Sequence, residues 1–332
     1  MKDDKKNKQW IFGSLIFLEL ALLVVVITSF GPFVSSGVGS SVPVHTTLEV
    51  GAVFPEILNI SINEGNDVTL TPNSTTSVVC QALVQDWNND TDIYLVNATL
   101  YDPSVTTWDA ADNPNDHYSN ASCVIDLDTH DAFGKTEDPW HALANCTFDV
   151  EYYAKPNPWN CSVYVEDTTN RSNREEDSGN ILDLLAVGLP DTINYGIVNS
   201  TDVSDEQTVS VENVGNVQLN LTLNGYSDPL VKDNGHAMNC SKGSYPYIDI
   251  DYEKFNLTDT TPVVSDLLEF ETFYVNLTST LSPPVYDFQL IPRVTTRSLA
   301  TQDTYWRIYV PKGLAGTCEG YIDFGATAGV GI

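Results

Sequence analysis

Beyond residue 40 the apolar residues recur at every second position, and helical spacing is nearly absent. Val78, Cys80, Ala82 and Val84 share one parity, as do Tyr94, Val96, Ala98 and Leu100. Cys146, Phe148, Val150 and Tyr152 alternate with Thr147, Asp149, Glu151 and Tyr153. Trp159, Cys161, Val163 and Val165 do the same against Asn160, Ser162, Tyr164 and Glu166. Successive side chains of a strand point to opposite faces, so this pattern specifies half-buried antiparallel strands with one face in water. Lys155-Pro156-Asn157-Pro158 is the turn between the last two of these strands.

Residues 168–180 read TTNRSNREEDSGN, contain no apolar residue, and are expected to be a polar linker. Alternation resumes after it. Val217, Leu219, Leu221 and Leu223 follow a turn at Asn213, Gly215 and Asn216, and further strands are expected at Tyr247–Asp251, Leu267–Leu277, Val285–Val294, Tyr305–Val310 and Cys318–Ala326. About seven strands per half, with a turn every ~8–12 residues, predict an all-β chain of two tandem Ig-like antiparallel β-sandwich domains. Their expected bounds are 44–167 and 181–332. Residues Val42 to Ile62, with Thr46, Leu48 and Val50 in alternation, read as strand A of the first domain. The alternative reading is a strand donated to a neighbouring subunit of a filament.

Residues 1–40 are of another kind. Lys2, Lys5, Lys6 and Lys8 precede an apolar run from Trp10 to Phe33, and small residues follow from Val34 to Ser41. A positive flank, an apolar core and small residues form a signal peptide. The run is also long enough for an uncleaved membrane anchor spanning residues 10–33. Either way an N-terminal transmembrane or signal helix would export the rest of the chain to the cell surface or the medium.

Acidic residues number 45 against 15 basic, for a net charge of −30. A surface this negative repels phosphate backbones and excludes nucleic acid as a general partner. It suits cations, high salt, or basic partners. Thirteen Asn-x-Ser/Thr acceptors for N-glycosylation occur, at Asn59, Asn73, Asn89, Asn97, Asn120, Asn145, Asn160, Asn170, Asn199, Asn220, Asn239, Asn256 and Asn276. Composition alone predicts about five, so the excess points to a glycosylated exterior. Six cysteines, none in a C-x-x-C pair, read as three disulfides of an exported protein rather than a zinc or thioredoxin-like site. Spacing alone leaves every connectivity open.

The sharpest polar cluster is Asp86, Asn88, Asp90 and Asp92. Oxygens at every second residue of a loop can wrap a hard cation, and calcium is the only cofactor this pattern suggests. Thr91 and Asn97 stand where an EF-hand needs glycine and glutamate. An acidic turn closed by Asx hydrogen bonds is the competing reading. A second cluster comprises Asp109, Asp112, Asn115 and Asp116 before His117. Trp87, Trp108, Trp140 and Trp159 lie in the first domain. Parity places Trp159 in the core, while loop tryptophans could stack on sugar rings. No H-E-x-x-H, no G-x-S-x-G and no phosphate-binding glycine loop is present, so no enzyme is predicted and no catalytic residue is nominated.

The stretch VVCQALVQDWNNDTDIYLVNATLYD, with PNPWNCSVYVED, resembles the B–C and F strands of PKD- and Ig-like extracellular domains. The second half, through its Asn213-x-Gly215-Asn216 turn and its terminal GTCEGYIDF strand, is similar to β-sandwiches of secreted archaeal and bacterial envelope proteins. Over about residues 46–328 the chain thus resembles secreted archaeal surface proteins with PKD- and Ig-like domains. The resemblance implies a fold and a place outside the cell, not an activity. The Ig-like arrangement implies an inter-sheet bridge between Cys80 and Cys161, which most PKD domains lack. Cys123 and Cys146 would staple the loop they flank, leaving Cys240 and Cys318 to pair in the second domain. The function expected is a non-catalytic, glycosylated cell-envelope protein for surface coating, adhesion or extracellular assembly, with other envelope proteins or glycans as partners. A calcium- or carbohydrate-binding secreted module, or a filament subunit assembling by strand donation, is the alternative.

Overall fold

A computed structural model describes residues 44–128, 132–135, 138–259, 267–280, 285 and 287–329. The expectations for residues 1–40, a cleaved signal or an anchor, lie outside the described residues. Among those described, no helix is long and apolar enough to cross a membrane.

The alternating segments of the first half become β1 (Glu56–Ile62), β2 (Thr75–Gln85), β3 (Ile93–Tyr101), β4 (His117–Asn120), β5 (Val124–Asp126), β6 (His141–Glu151), β7 (Pro158–Asp167) and β8 (Ser172–Asn180). They form two four-stranded sheets, in the orders β1-β2-β6-β5 and β4-β3-β7-β8, with every ladder antiparallel. The inward phase of each strand meets in one core. Val78, Ala82, Val96, Leu100, Phe148, Val150, Trp159 and Val163 are all buried in it. Cys80 of β2 is bonded across the sandwich to Cys161 of β7, and Cys123 to Cys146 of β6.

The segment 168–180 is not a linker. After a turn at residues 168–170 it runs as β8, laddered to β7 from Glu166↔Ser172 to Pro158↔Asn180. An edge strand needs only main-chain hydrogen bonds, so its composition need carry no apolar face. Gly179 lies so close to β1 that a Cβ there would meet Ile62 at 3.1 Å.

The second half comprises β9 (Val187–Gly188), β10 (Gln207–Asn213), β11 (Leu219–Tyr226), β12 (His236–Gly243), β13 (Tyr247–Asp249), β14 (Glu253–Asn256), α1 (Leu267–Phe273), β15 (Val275–Asn276), β16 (Thr301–Ile308) and β17 (Leu314–Ala328). The sheets run β15-β14-β16-β10-β9 and β11-β17-β12-β13. Val209, Val211, Leu221, Leu223, Phe255 and Trp306 fill the space between them. Cys240 and Cys318 face each other in the β12–β17 ladder and are bonded, 78 residues apart in sequence.

Two expected strands differ. Leu267–Phe273 is one short helix, which seats Phe270 and Tyr274 in a small cluster beside Tyr309. Among the described residues of 285–294, Leu290 forms an isolated bridge opposite Leu219 and Val285 N donates to Leu221 O at 2.7 Å, without a continuous strand. The segment 44–55 carries no strand pairing, so of the strand expected from Val42 to Ile62 the described part is laddered from Glu56 onward.

Both sandwiches belong to one compact unit starting at Ala52, and Asn216 ties them together. Its Nδ2 donates to Ala154 O of the first sandwich and Leu182 O of the connection, both at 3.0 Å, while its Oδ1 accepts from Leu184 N at 2.6 Å. The neighbouring Gly215 has no room for a Cβ, which would fall 2.0 Å from Leu184 O. The Asn213-x-Gly215-Asn216 motif is therefore the clasp at the domain junction. Tyr152, Tyr153 and Val214 form its apolar part.

Candidate functional site

The Asp86–Asp92 loop joins β2 to β3 at one end of the first sandwich. Its oxygens do not converge as the calcium reading expects. Asp86 Oδ1 accepts from Asn88 N at 2.8 Å, Asn88 Oδ1 from Val53 N at 2.7 Å, and Asn89 Oδ1 from Thr91 N at 3.0 Å. Asp90 and Asp92 lie in the short 3-10 turn that Asn89 caps. The every-second-residue spacing thus closes turns through backbone N–H groups, which compete directly with a cation for carboxylate and amide oxygens. Among the described residues no three His, Cys, Asp or Glu side chains form a group able to hold a metal. Asp86 is nevertheless fully buried, and its Oδ2 has no hydrogen-bond partner. Desolvation, assisted by the charges of Asp167 and Asp92, raises its pKa above the ordinary carboxylate value.

The second acidic cluster is structural. Asn115 Nδ2 donates to Tyr153 O at 2.6 Å, buried His117 contacts Asp112 at 3.1 Å, and Asp116 pairs with Lys155 at 3.4 Å. Trp159 is buried in the core. Trp108 is covered by the Arg174 guanidinium, 3.8 Å from its ring centre. Trp87 and Trp140 lie 6.1 Å apart but are inclined at 42°, so the four tryptophans offer no coplanar platform for a sugar.

An open feature of the second sandwich is β17, which stands between β11 and β12 in the order of its sheet. Tyr321–Ala328 ladder only with β11, and Leu314–Gly320 only with β12, so each stretch leaves one side of its backbone without a strand partner. None of its 15 residues is fully buried. Alternation still operates along it: Leu314, Cys318, Ile322 and Phe324 turn inward and pack against the core from its rim. Two adjoining grooves follow this strand, with volumes of about 720 and 370 Å³. The first reaches from Leu314 to Cys318 and is walled by Ile248, Ile308 and Val310. The second continues from Gly320 to Phe324. Residues 189–198 lie along both, with Ile193 and Tyr195 shared between them. Among the described residues that segment makes no main-chain to main-chain hydrogen bond, and Ile197 on it is fully exposed.

One polar contact holds this segment down. Tyr195 Oη donates to Glu253 Oε1 at 2.9 Å. Glu253, on β14, is 2% exposed, and burial pushes its pKa up to about 7 against the opposing hydrogen bond from Tyr195. Neither residue stood out from the sequence. The available signal was parity, since Glu253 shares the inward phase with Phe255 and a glutamate there must be buried. Next to it, Lys254 is buried on the opposite phase and pairs with Glu271 of α1 at 2.8 Å.

No protein-family model and no curated protein matches this chain. Among solved structures, the chain is similar to the CsuC–CsuE chaperone–tip adhesion subunit pre-assembly complex of archaic chaperone-usher Csu pili from Acinetobacter baumannii. That match has 9% identity and a TM-score of 0.33, and covers 81% of this chain and 99% of that one. A chaperone–tip adhesin complex of CFA/I fimbriae biogenesis aligns at 13% identity and TM-score 0.25, over 82% and 81% of the two chains. The C-terminal domain of the Streptococcus pyogenes antigen I/II-family protein AspA aligns at 14% identity and TM-score 0.22, over 83% and 96%. Two of these neighbours are thus chaperone–tip adhesin complexes and the third is a domain of an antigen I/II-family protein.

Proposed function

We propose that this chain is a non-catalytic, glycosylated protein of the cell exterior, working in surface coating, adhesion or extracellular assembly. The observation that carries the reading is the placement of the asparagines. None of the 13 sequon asparagines is buried, whereas the four buried ones, Asn115, Asn213, Asn216 and Asn224, all lie outside sequons. Asn97, Asn145 and Asn160 stand on partly exposed positions of strands whose alternate residues are buried, where a glycan can project without disturbing the core. Three disulfides and no free cysteine among the described residues suit an oxidising compartment. The acidic surface suits the same setting.

The test is the intact mass of the protein isolated from its own cells, from membrane and medium fractions, before and after chemical deglycosylation. The expected result is a native mass well above the 36.5 kDa of the polypeptide, with glycopeptides mapping to the exposed sequons. A native mass equal to that of the bare polypeptide, full-length or processed, would remove the support that the sequons give.

A further inference from the structure

The second sandwich has an edge without a partner, and the chain has a strand-like segment without a sheet. Residues Val44, Leu48 and Val50 share one parity with Thr46, against His45, Thr47 and Glu49. A series of this kind specifies a strand with one apolar face. Yet residues 44–50 carry no ladder, and Val44, Leu48 and Val50 are 81%, 88% and 74% exposed. Leaving these side chains in water forfeits about 1.5–3 kcal/mol for each that could be buried. On the other side, β17 offers main-chain donors and acceptors without a strand partner beside a groove of apolar side chains. Unpaired main-chain groups along a strand are a template for pairing, and here residues 189–198 lie over them without a ladder.

We propose that the open edge of β17 takes up residues Val44–Val50 of a second copy of this chain as an added strand, which makes the protein a self-assembling surface subunit. The inference rests on the assembly role proposed above and gives that role an acceptor and a donor. Main-chain hydrogen bonds to β17 supply pairing, and alternate side chains supply register. Seven residues of strand span about 23 Å, the length of Leu314–Gly320, which lines the wider groove. In that register Val44, Thr46, Leu48 and Val50 point between the sheets, toward Ile248, Ile308 and Val310. His45, Thr47 and Glu49 remain in solvent. Residues 189–198 must yield to the incoming strand: among the described residues the Tyr195–Glu253 hydrogen bond is the polar contact that holds them, and the apolar burial of the added strand offsets that lost by Ile193 and Tyr195.

The proposal predicts inter-chain disulfides between new cysteines on the two strands. Full-length Thr47→Cys carrying one affinity tag is mixed with full-length Ala315→Cys or Thr317→Cys carrying another, in one mild detergent, with the native disulfides intact. The expected product is a covalent species bearing both tags. It is lost when Leu48→Asp is added to the donor, because an aspartate would have to enter the apolar groove. The same Leu48→Asp change is expected to weaken self-association of the otherwise native chain by at least roughly tenfold in light scattering.

Absence of any dual-tag product from both pairs overturns the proposal. So does a Thr47→Cys/Thr317→Cys chain that closes only within itself, since the segment would then cover its own edge. If the wild type associates but Leu48→Asp changes nothing, assembly uses another face: the strand proposal falls while the surface-protein reading stands. If the native mass shows no glycan but the dual-tag product forms, the outcome is the reverse for the glycosylated-exterior reading.

Discussion

Glu253→Gln is expected to stabilise the second sandwich at pH 8 and to do almost nothing at pH 4.5. The carboxyl of Glu253 is 2% exposed and accepts one hydrogen bond, from Tyr195. Burial raises its pKa from 4.5 to about 7. Between those two values the folded protein holds a proton that the unfolded chain has released, so stability falls as pH rises through this window. The stabilisation is fully present below about pH 4.5 and lost above pH 7. A shift of this size corresponds to about 3 kcal/mol. Glutamine keeps the shape and the acceptor oxygen for Tyr195 without the charge. The difference between variant and wild type should therefore grow from near zero to about 3 kcal/mol between pH 4.5 and 8. Other carboxylates titrate in both proteins and cancel. The assay is urea unfolding at several pH values, with the disulfides intact. Trp306 is the reporter, buried in the same core and in contact with Phe255 of β14. A difference that stays constant across this range would refute the reasoning, because the buried carboxyl would then not be the titrating group.

Further substitutions probe other parts of the fold. Asn216→Ala removes three hydrogen bonds at the domain junction and is expected to cost about 2–4 kcal/mol, with earlier proteolysis between residues 181 and 187. Arg307→Met strips partners from Ser204 O, Tyr274 Oη and Glu206, around a guanidinium that is 4% exposed. It should destabilise by about 3–5 kcal/mol in denaturant titration. Asp86→Asn should be more stable than wild type at neutral pH and lose that advantage in acid, since burial raises the carboxyl's pKa and its charged form is the strained one. A thermal melt at both pH values checks the sign. Millimolar calcium is expected to leave the wild-type Tm unchanged, because the Asp86, Asn88 and Asn89 oxygens already serve backbone N–H groups. A calcium-dependent rise abolished by Asp92→Asn would restore the cation reading.

Much of the architecture follows from the sequence alone, and for a simple reason. A strand with one wet face must alternate, so β2, β3, β6, β7 and β11 are legible as strands, and Val78, Cys80, Ala82, Val84, Val96, Ala98, Leu100, Phe148, Val150, Cys161, Val163 and Leu221 are buried as parity expects, although Tyr94 is exposed and Leu83, Leu143, Ser162, Thr222 and Asn224 are buried off that phase. The same logic fails where burial does not depend on alternation. β8 is polar on both faces because an edge strand is held by its backbone, so its composition reads as a linker. α1 has seven residues, two turns, too few to show a helical period against the surrounding pattern.

The candidate sites divide along the same line. The sequence marks Asp86, Asn88, Asp90 and Asp92 as a cluster of oxygens, but spacing cannot say whether those oxygens meet a cation or their own backbone. That depends on loop dihedrals, which here give turns. It marks Asn213-x-Gly215-Asn216 as a turn, and only the fold brings Ala154 and Leu182 within reach of Asn216. The alternating residues 44–50 were readable as a strand from the start. That they lack a partner, and that each stretch of β17 is laddered on one side alone, is a fact about which edges the tertiary structure leaves open. Side-chain pattern determines which face of a strand is buried; only the closed packing of sheets decides which strand is left without a neighbour.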